Sequence, residues 1–240
     1  MAHAQGGDEG GGFRLARVTR VLVCAAIELE ARGLARRLSL ASVSGSAWPH
    51  FRGGVLEVVA VGLGASALAT RVSGRPRFVI SAGTCGALAP HLAEGDVIVP
   101  ASVRDRDGAA RETTPLTARP SSGVLLSVGE PITTAAVKAR LWLETGALAV
   151  DMESAAILAW AAVRDVPAAV VRGVADTAGA GIPEDLASVV GADGTIRTAR
   201  ALRVALARPR ALPEALALRH ATNAALDGVA AVLAAVARRA

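Results

Sequence analysis

Seven short runs in this chain are apolar at nearly every position instead of at alternate ones: "RVLVCAA" (20–26), "VLEVVAVG" (55–62), "RFVISAG" (77–83), "DVIVPA" (96–101), "GVLLSVG" (123–129), "GALAVD" (146–151) and "PAAVVRGVAD" (167–176). A strand with one face in water alternates apolar and polar residues, whereas a strand that is apolar throughout has both faces covered. Stretches with helical spacing lie between the runs, over 28–38, 65–73, 133–145 and 153–164, and two or more helices are expected after Asp185. Strands that alternate with helices and need cover on both faces restrict the chain to the α/β class, a single domain with a central mixed β-sheet between layers of helices. No internal repeat or linker divides it, so the domain is expected to run over 18–240. Residues 1–17, which include "MAHAQGGDEGGG", lack the basic start and apolar middle of a signal peptide and read as a disordered leader. The polar stretch 104–120, rich in Arg, Asp and Thr, is expected to be a long surface loop.

Composition narrows the function. The chain is 52% hydrophobic and 2% aromatic, and no apolar run approaches the roughly 20 residues that span a bilayer. The expected location is cytoplasmic. The net charge of +5 is carried almost wholly by arginine, since Lys138 is the only lysine. A nucleic-acid surface gathers stacking aromatics and basic side chains on one face, but the three Phe and three Trp are scattered here, so nucleic acid is not expected as a partner. Cys24 and Cys85 read as small core residues, and His3, His50, His91 and His220 show no ligand spacing. Neither a metal nor a cofactor is expected.

Residues that carry chemistry sit at the strand ends. Glu28 and Glu30 follow the first run, "VGLGAS" with Gly62 and Gly64 the second, and "SAGTCGAL" with Gly83, Thr84 and Gly86 the third. Gly129 and Glu130 end the fifth, Asp151 and Glu153 the sixth, and Asp176 the seventh. Ligands of open α/β sheets bind along the carboxyl edge of the strands. Each residue also has a plainer reading. "VGLGAS" lacks the third glycine of a dinucleotide fingerprint, since Ala67 stands there, and by itself serves as a tight turn; "SAGTCGAL" reads as a second such turn. Asp176 is either a helix N-cap or a functional acid, Asp151 and Glu153 could start a helix, and Glu28 and Glu30 could be exposed on a first helical turn. Taken jointly, several carboxylates on one edge suit cleavage of an N-glycosidic bond, which needs an acid for the leaving base, an activator of the nucleophile and an acceptor for sugar hydroxyls.

"AVDMESAAI" followed by "VPAAVVRGVAD", together with "SAGTCGALAPHLAEGDVIVP", resembles the purine nucleoside phosphorylase / methylthioadenosine nucleosidase superfamily, whose patterns are V-x-M-E-x-A-A, a later R-x-x-S-D, and G-[ST]-x-G-x-L…G-D-[IV]-V. The likeness spans roughly Val18 to Ala178. It implies a three-layer αβα domain in which Asp176 protonates the purine at N7 and Glu30 activates water. Glu153 would hold the ribose 2′ and 3′ hydroxyls, with Met152 packed on the sugar. Gly129, Glu130 and Ile132 would line the base; independently of the resemblance, the two Gly turns, with Gly62 and the hydroxyl of Thr84, suit a substrate rich in oxygen. Ala175 departs from the pattern, since relatives carry Ser beside the acid. The resemblance further implies a homodimer or higher oligomer.

Phosphorylases of this superfamily hold phosphate with arginines, one of them three residues before the hydroxyl of the G-[ST]-x-G segment; Ser81 stands there instead. A second such position falls near Glu28 or Glu30, and a carboxylate repels phosphate. Hydrolysis is therefore favoured, with phosphorolysis open through Arg104 or Arg106 and a catalytically silent binding protein as the reading from another class. "VDMES", "GADGTIR" (191–197) and the Leu/Ala/Arg-rich tail with "ARPRALPEAL" most resemble the hopanoid-associated branch, which acts on adenosylhopane. Futalosine and methylthioadenosine nucleosidases share the core. Arg197, Arg200 and Arg203 at helical spacing, with Arg238 and Arg239, form a basic tail suited either to the inner membrane face or to a plain solvated helix.

Overall fold

The computed structural model describes residues 20–181, 191 and 211–239. Among them lie eleven strands of one mixed sheet. These are β1 (Val21–Ala25), β2 (Ala41–Ser42), β3 (His50–Gly53), β4 (Leu56–Ala60), β5 (Phe78–Ala87), β6 (Val97–Ile98), β7 (Ser102–Asp105), β8 (Ala110–Glu112), β9 (Val124–Ser127), β10 (Ala149–Asp151) and β11 (Ala168–Asp176). The α-helices are α1 (Glu28–Arg37), α2 (Leu68–Arg71), α3 (Ala135–Thr145), α4 (Ser154–Val163) and α5 (Ala211–Ala237). The expected single α/β domain with a central mixed sheet is what the chain forms.

The all-apolar runs find cover on both faces. In β1, Val21, Val23 and Ala25 enter one core cluster with Leu34 of α1 and Leu226, Val229 and Leu233 of α5. Leu22 and Cys24 point the other way, into a second cluster with Leu68 of α2 and Ile157, Leu158 and Ala161 of α4. Period-two geometry divides the strand, and two helical layers bury both halves. Helix α1 forms because Ala31, Leu34 and Ala35 recur on one face, with Glu28 and Glu30 in its first turn and Arg36 and Arg37 in its last. Arg37 ties it to α5 through Asp227 at 2.6 Å and the Asn223 carbonyl at 3.0 Å.

Strand β5 organises the sheet. One edge pairs with β11 in parallel from Val79 to Gly86. The other pairs with β1, in parallel, only as far as Ser81, and with β10, antiparallel, only at Gly86 and Ala87. Between these lies a notch, residues 82–85, where no strand among the described residues takes that edge. The notch positions the site.

Three expectations change. The stretch 104–120 is not one loop, because β7 and β8 form an antiparallel hairpin at the sheet edge, with Ser102 opposite Glu112. Residues 65–73 are a 3-10 turn (Leu63–Ala65) followed by the short α2 instead of one helix. "SAGTCGAL" is no turn, since β5 runs extended through Gly83, Thr84 and Gly86 to Ala87. The leader 1–17 and Arg197, Arg200 and Arg203 lie outside the described residues. Leu216–Ala237 is long and apolar enough to cross a bilayer, but Ala225, Leu226, Val229 and Leu233 are packed into the core.

Candidate active site

Glu30 closes the notch from above. As the third residue of α1 its Oε2 accepts the backbone N–H groups of Ala26 at 3.0 Å and Ile27 at 3.4 Å, which would otherwise be orphan donors of the helix start. Its Oε1 accepts the Thr84 N–H at 2.7 Å and the Thr84 hydroxyl at 2.8 Å. That N–H belongs to the part of β5 left without a strand neighbour. Glu28 instead faces solvent and pairs with Arg32 at 2.6 Å, so of the two carboxylates only Glu30 belongs to the site.

The centre of the site is Arg172, in the middle of β11 and 1% exposed. Its Nη2 lies 2.6 Å from Asp151 and 3.6 Å from Glu153, and donates to Ser81 Oγ at 2.8 Å and Ser154 Oγ at 3.2 Å. Its Nη1 donates to the Thr84 carbonyl at 3.4 Å, while Nε has no partner among the described residues. Asp151 has two tasks: it accepts the Ser154 N–H at 3.1 Å, starting α4, and it anchors Arg172. Glu153 makes no capping bond. Its Oε1 accepts the N–H of Gly64, at 3.2 Å, from the "VGLGAS" turn in which Gly62 takes φ 82° and Gly64 φ 60°. Burial pushes the Glu153 carboxyl up to about 7; Arg172 pulls against that rise, and Asp151 and Glu30 add to it.

Glycines in β5 make the room. A Cβ on Gly83 would stand 2.7 Å from Glu30 Oε1 and 2.8 Å from Arg172 Nη1, and one on Gly86 would stand 3.1 Å from Asp176 Oδ2. Asp176 ends β11 after a register shift between Val174 and Asp176. It is no helix cap: Lys138 of α3 donates to its Oδ2. Burial raises the pKa of Asp176, with the Lys138 ammonium opposing. Ala175 beside it is buried.

The sequence-predicted residues thus fall into three groups. Glu30, Thr84, Glu153 and the Gly62 turn converge on the notch, and Asp176 lies beside Gly86 at its end. Met152 and Ile132 pack together against Leu88, Leu126, Val128 and Val150, beside Glu153 in sequence. Gly129 and Glu130 lie exposed in the segment between β9 and α3, and no hydrogen bond or ion pair joins Glu130 to a described residue. Sequence reasoning gave Arg172 and Lys138 no role. The signal for Arg172 was a lone charge inside an otherwise apolar run, which in a buried strand requires partners; the signal for Lys138 was its uniqueness.

The family model of the Phosphorylase superfamily matches residues 52–121 and 109–208, well over half of the chain. No curated protein sequence matches the chain. Among solved structures, the futalosine hydrolase of Helicobacter pylori strain 26695 is similar with 14% identity and a TM-score of 0.66, over 93% of this chain and 99% of that one. The 5′-methylthioadenosine/S-adenosylhomocysteine nucleosidase of Helicobacter pylori, with butyl-thio-DADMe-Immucillin-A, has 14% identity and a TM-score of 0.67 over 94% and 100%. The enzyme of that name from Neisseria meningitidis, in complex with methylthio-immucillin-A, has 16% identity and a TM-score of 0.67 over 92% and 100%. At these identities the shared property is the fold; the matched segments, which contain β5, β10 and β11 with the residues around Arg172, make this chain a member of the Phosphorylase superfamily.

Proposed function

We propose that the protein is a purine N-ribosyl hydrolase that releases adenine from a 5′-modified adenosine, with adenosylhopane as its substrate. The observation that carries the hydrolytic reading is charge: a single buried guanidinium, Arg172, is faced by Asp151, Glu153 and Glu30. Such a centre repels a phosphate dianion and favours the positive charge that grows on the ribose as the bond breaks. Ser81, where a phosphorylase would place an arginine, is fully buried between Ser154 and Arg172 and leaves no room for an anion.

In the proposed reaction the water oxygen bonds to C1′ as the C1′–N9 bond breaks and its electron pair passes to the base. Asp176 delivers a proton to N7, and Glu30 takes one from the water. The Thr84 hydroxyl, now donating to Glu30, can rotate toward that water and free an Oε1 lone pair. Glu153 holds the ribose hydroxyls, its free carboxylate oxygen lying toward Arg172. Met152 and Ile132 offer apolar contact for sugar and base, and Gly129 and Glu130 border that side. The adenosylhopane assignment rests on the resemblance of "VDMES", "GADGTIR" and the tail. A homo-oligomer and contact with the inner membrane face accompany the reading as expectations.

The deciding experiment measures adenine release from adenosylhopane and from methylthioadenosine, with and without phosphate. Release from adenosylhopane that ignores phosphate supports the full reading. Release only from methylthioadenosine keeps the chemistry and moves the substrate. Phosphate-dependent release with ribose 1-phosphate as product overturns hydrolysis.

A further inference from the structure

Helix α3 is anchored by a charge. Its other residues are exposed or half-buried, and the one side chain wholly out of water is Lys138, 0% exposed and the only lysine of the chain. Its Nζ donates to Asp176 Oδ2, to the Thr177 carbonyl at 2.8 Å and to the Ala180 carbonyl at 2.8 Å. An ammonium carries three N–H bonds, so every donor is used. Arginine could not replace it: a planar fork with five donors does not fit three acceptors gathered around one point. This chain uses arginine everywhere else (26 Lys+Arg less one lysine leaves 25).

The same three bonds fasten a loop. Residues 177–181 follow Asp176 directly; the Ala180 N–H meets the Thr177 carbonyl at 3.1 Å, and a Cβ on Gly181 would overlap the Thr133 carbonyl at the entry to α3. The backbone after the acid therefore lies on the backbone that leads from the 129–132 segment into the helix. A buried ammonium must be fully paired to offset its lost hydration, and here its partners are the carboxylate and its own loop.

We propose that Lys138 is a positioning residue for the acid: it grips Asp176 by Oδ2, pins loop 177–181 to α3, and leaves Oδ1 as the oxygen that meets the leaving base. The proposal rests on the N-glycosidase reading. Among the described residues, the charged and titratable groups facing Asp176 are Lys138 from α3, Glu94 from the turn before β6 and Cys85 on β5. Lys138 is the only one of these that favours the ionised acid, so its removal should move the titration of Asp176 upward.

The test compares wild type with Lys138→Met and Lys138→Arg in two ways. With methylthioadenosine, Lys138→Met should lower kcat at least about tenfold with KM changed less than about threefold, since the contact matters when the proton moves. The high-pH limb of its kcat/KM profile, where the acid loses its proton, should shift up by about 1–3 pH units. Lys138→Arg keeps the charge and should show the lower kcat with a smaller shift. Independently of turnover, the Asp176 carboxyl, followed by 13C NMR and assigned with Asp176→Asn, should titrate higher in Lys138→Met. If Lys138→Met does not fold, Lys138→Gln loses the charge but keeps two donors and carries both readouts. An unmoved Asp176 titration, or a raised KM with kcat intact, overturns the proposal. A wild type that releases no base from either methylthioadenosine or adenosylhopane counts against the N-glycosidase reading, while the titration still decides the role of Lys138.

Discussion

Arg172 is a cation that solvent does not reach, held among three carboxylates. Replacing it by methionine fills the volume but leaves Asp151, Glu153 and Glu30 facing one another, and removing one partner of a buried pair typically costs about 3–5 kcal/mol. Protonation is the only relief for carboxylates so stranded, so the loss in Arg172→Met, read from urea midpoints, should be larger at pH 8 than at pH 5. Glu153 makes the opposite case. Its folded carboxyl titrates at about 7 against a usual 4.5, because burial outweighs Arg172. Between those values the folded chain holds a proton that the unfolded chain has released, so this residue's contribution to stability falls as pH rises through the window and stays lost above it. Glu153→Gln removes that dependence. It should match wild type in unfolding free energy below pH 4.5 and exceed it at pH 8, by up to ~3 kcal/mol at 1.36 kcal/mol per pKa unit, while base release collapses. A variant no more stable than wild type at pH 8 would refute this account.

At the level of elements, the strands and the two helical layers were legible because burial on both faces of a sheet leaves a continuous apolar run, and β1, β4, β5 and β11 show it plainly. What escaped were elements shaped by neighbours that are remote in sequence. Gly83 and Gly86 look like turn residues, and only the approach of Glu30, Arg172 and Asp176 explains why a strand carries them. The β7–β8 hairpin has an exposed polar edge with no apolar signal to betray it. The carboxylates of the site were readable at their strand ends; which cation holds which carboxylate was not, since partnership across 38 residues (Lys138 with Asp176) leaves no local trace. Another close approach fixes α5 on β11: a Cβ at Gly173 would stand 2.5 Å from the Ala225 carbonyl oxygen. Gly173→Ala should cost about 1–3 kcal/mol by forcing the helix off the strand, whereas Gly129→Ala, with nothing within 4 Å, should stay within about 0.5 kcal/mol. Denaturation midpoints of the two variants compare them directly.

Over the whole molecule, the core depends on a segment that arrives last. Leu226, Val229 and Leu233 of α5 complete the cluster begun by β1 and α1, and each such side chain contributes roughly 1.5–3 kcal/mol when fully buried, so together they rival the ~5–15 kcal/mol that holds a domain folded. Loosening α5 should therefore expose the rest, and the solitary lysine supplies a way to watch it. A lysine-specific endoprotease has one peptide bond to attack in this chain, after Lys138, and the native fold hides that side chain completely. Digestion should yield only two fragments, 1–138 and 139–240, at a rate that tracks the population of open molecules. Substrate occupying the site, by tightening the grip on Asp176, should slow the cut, so a gel with two bands would report ligand binding without a label.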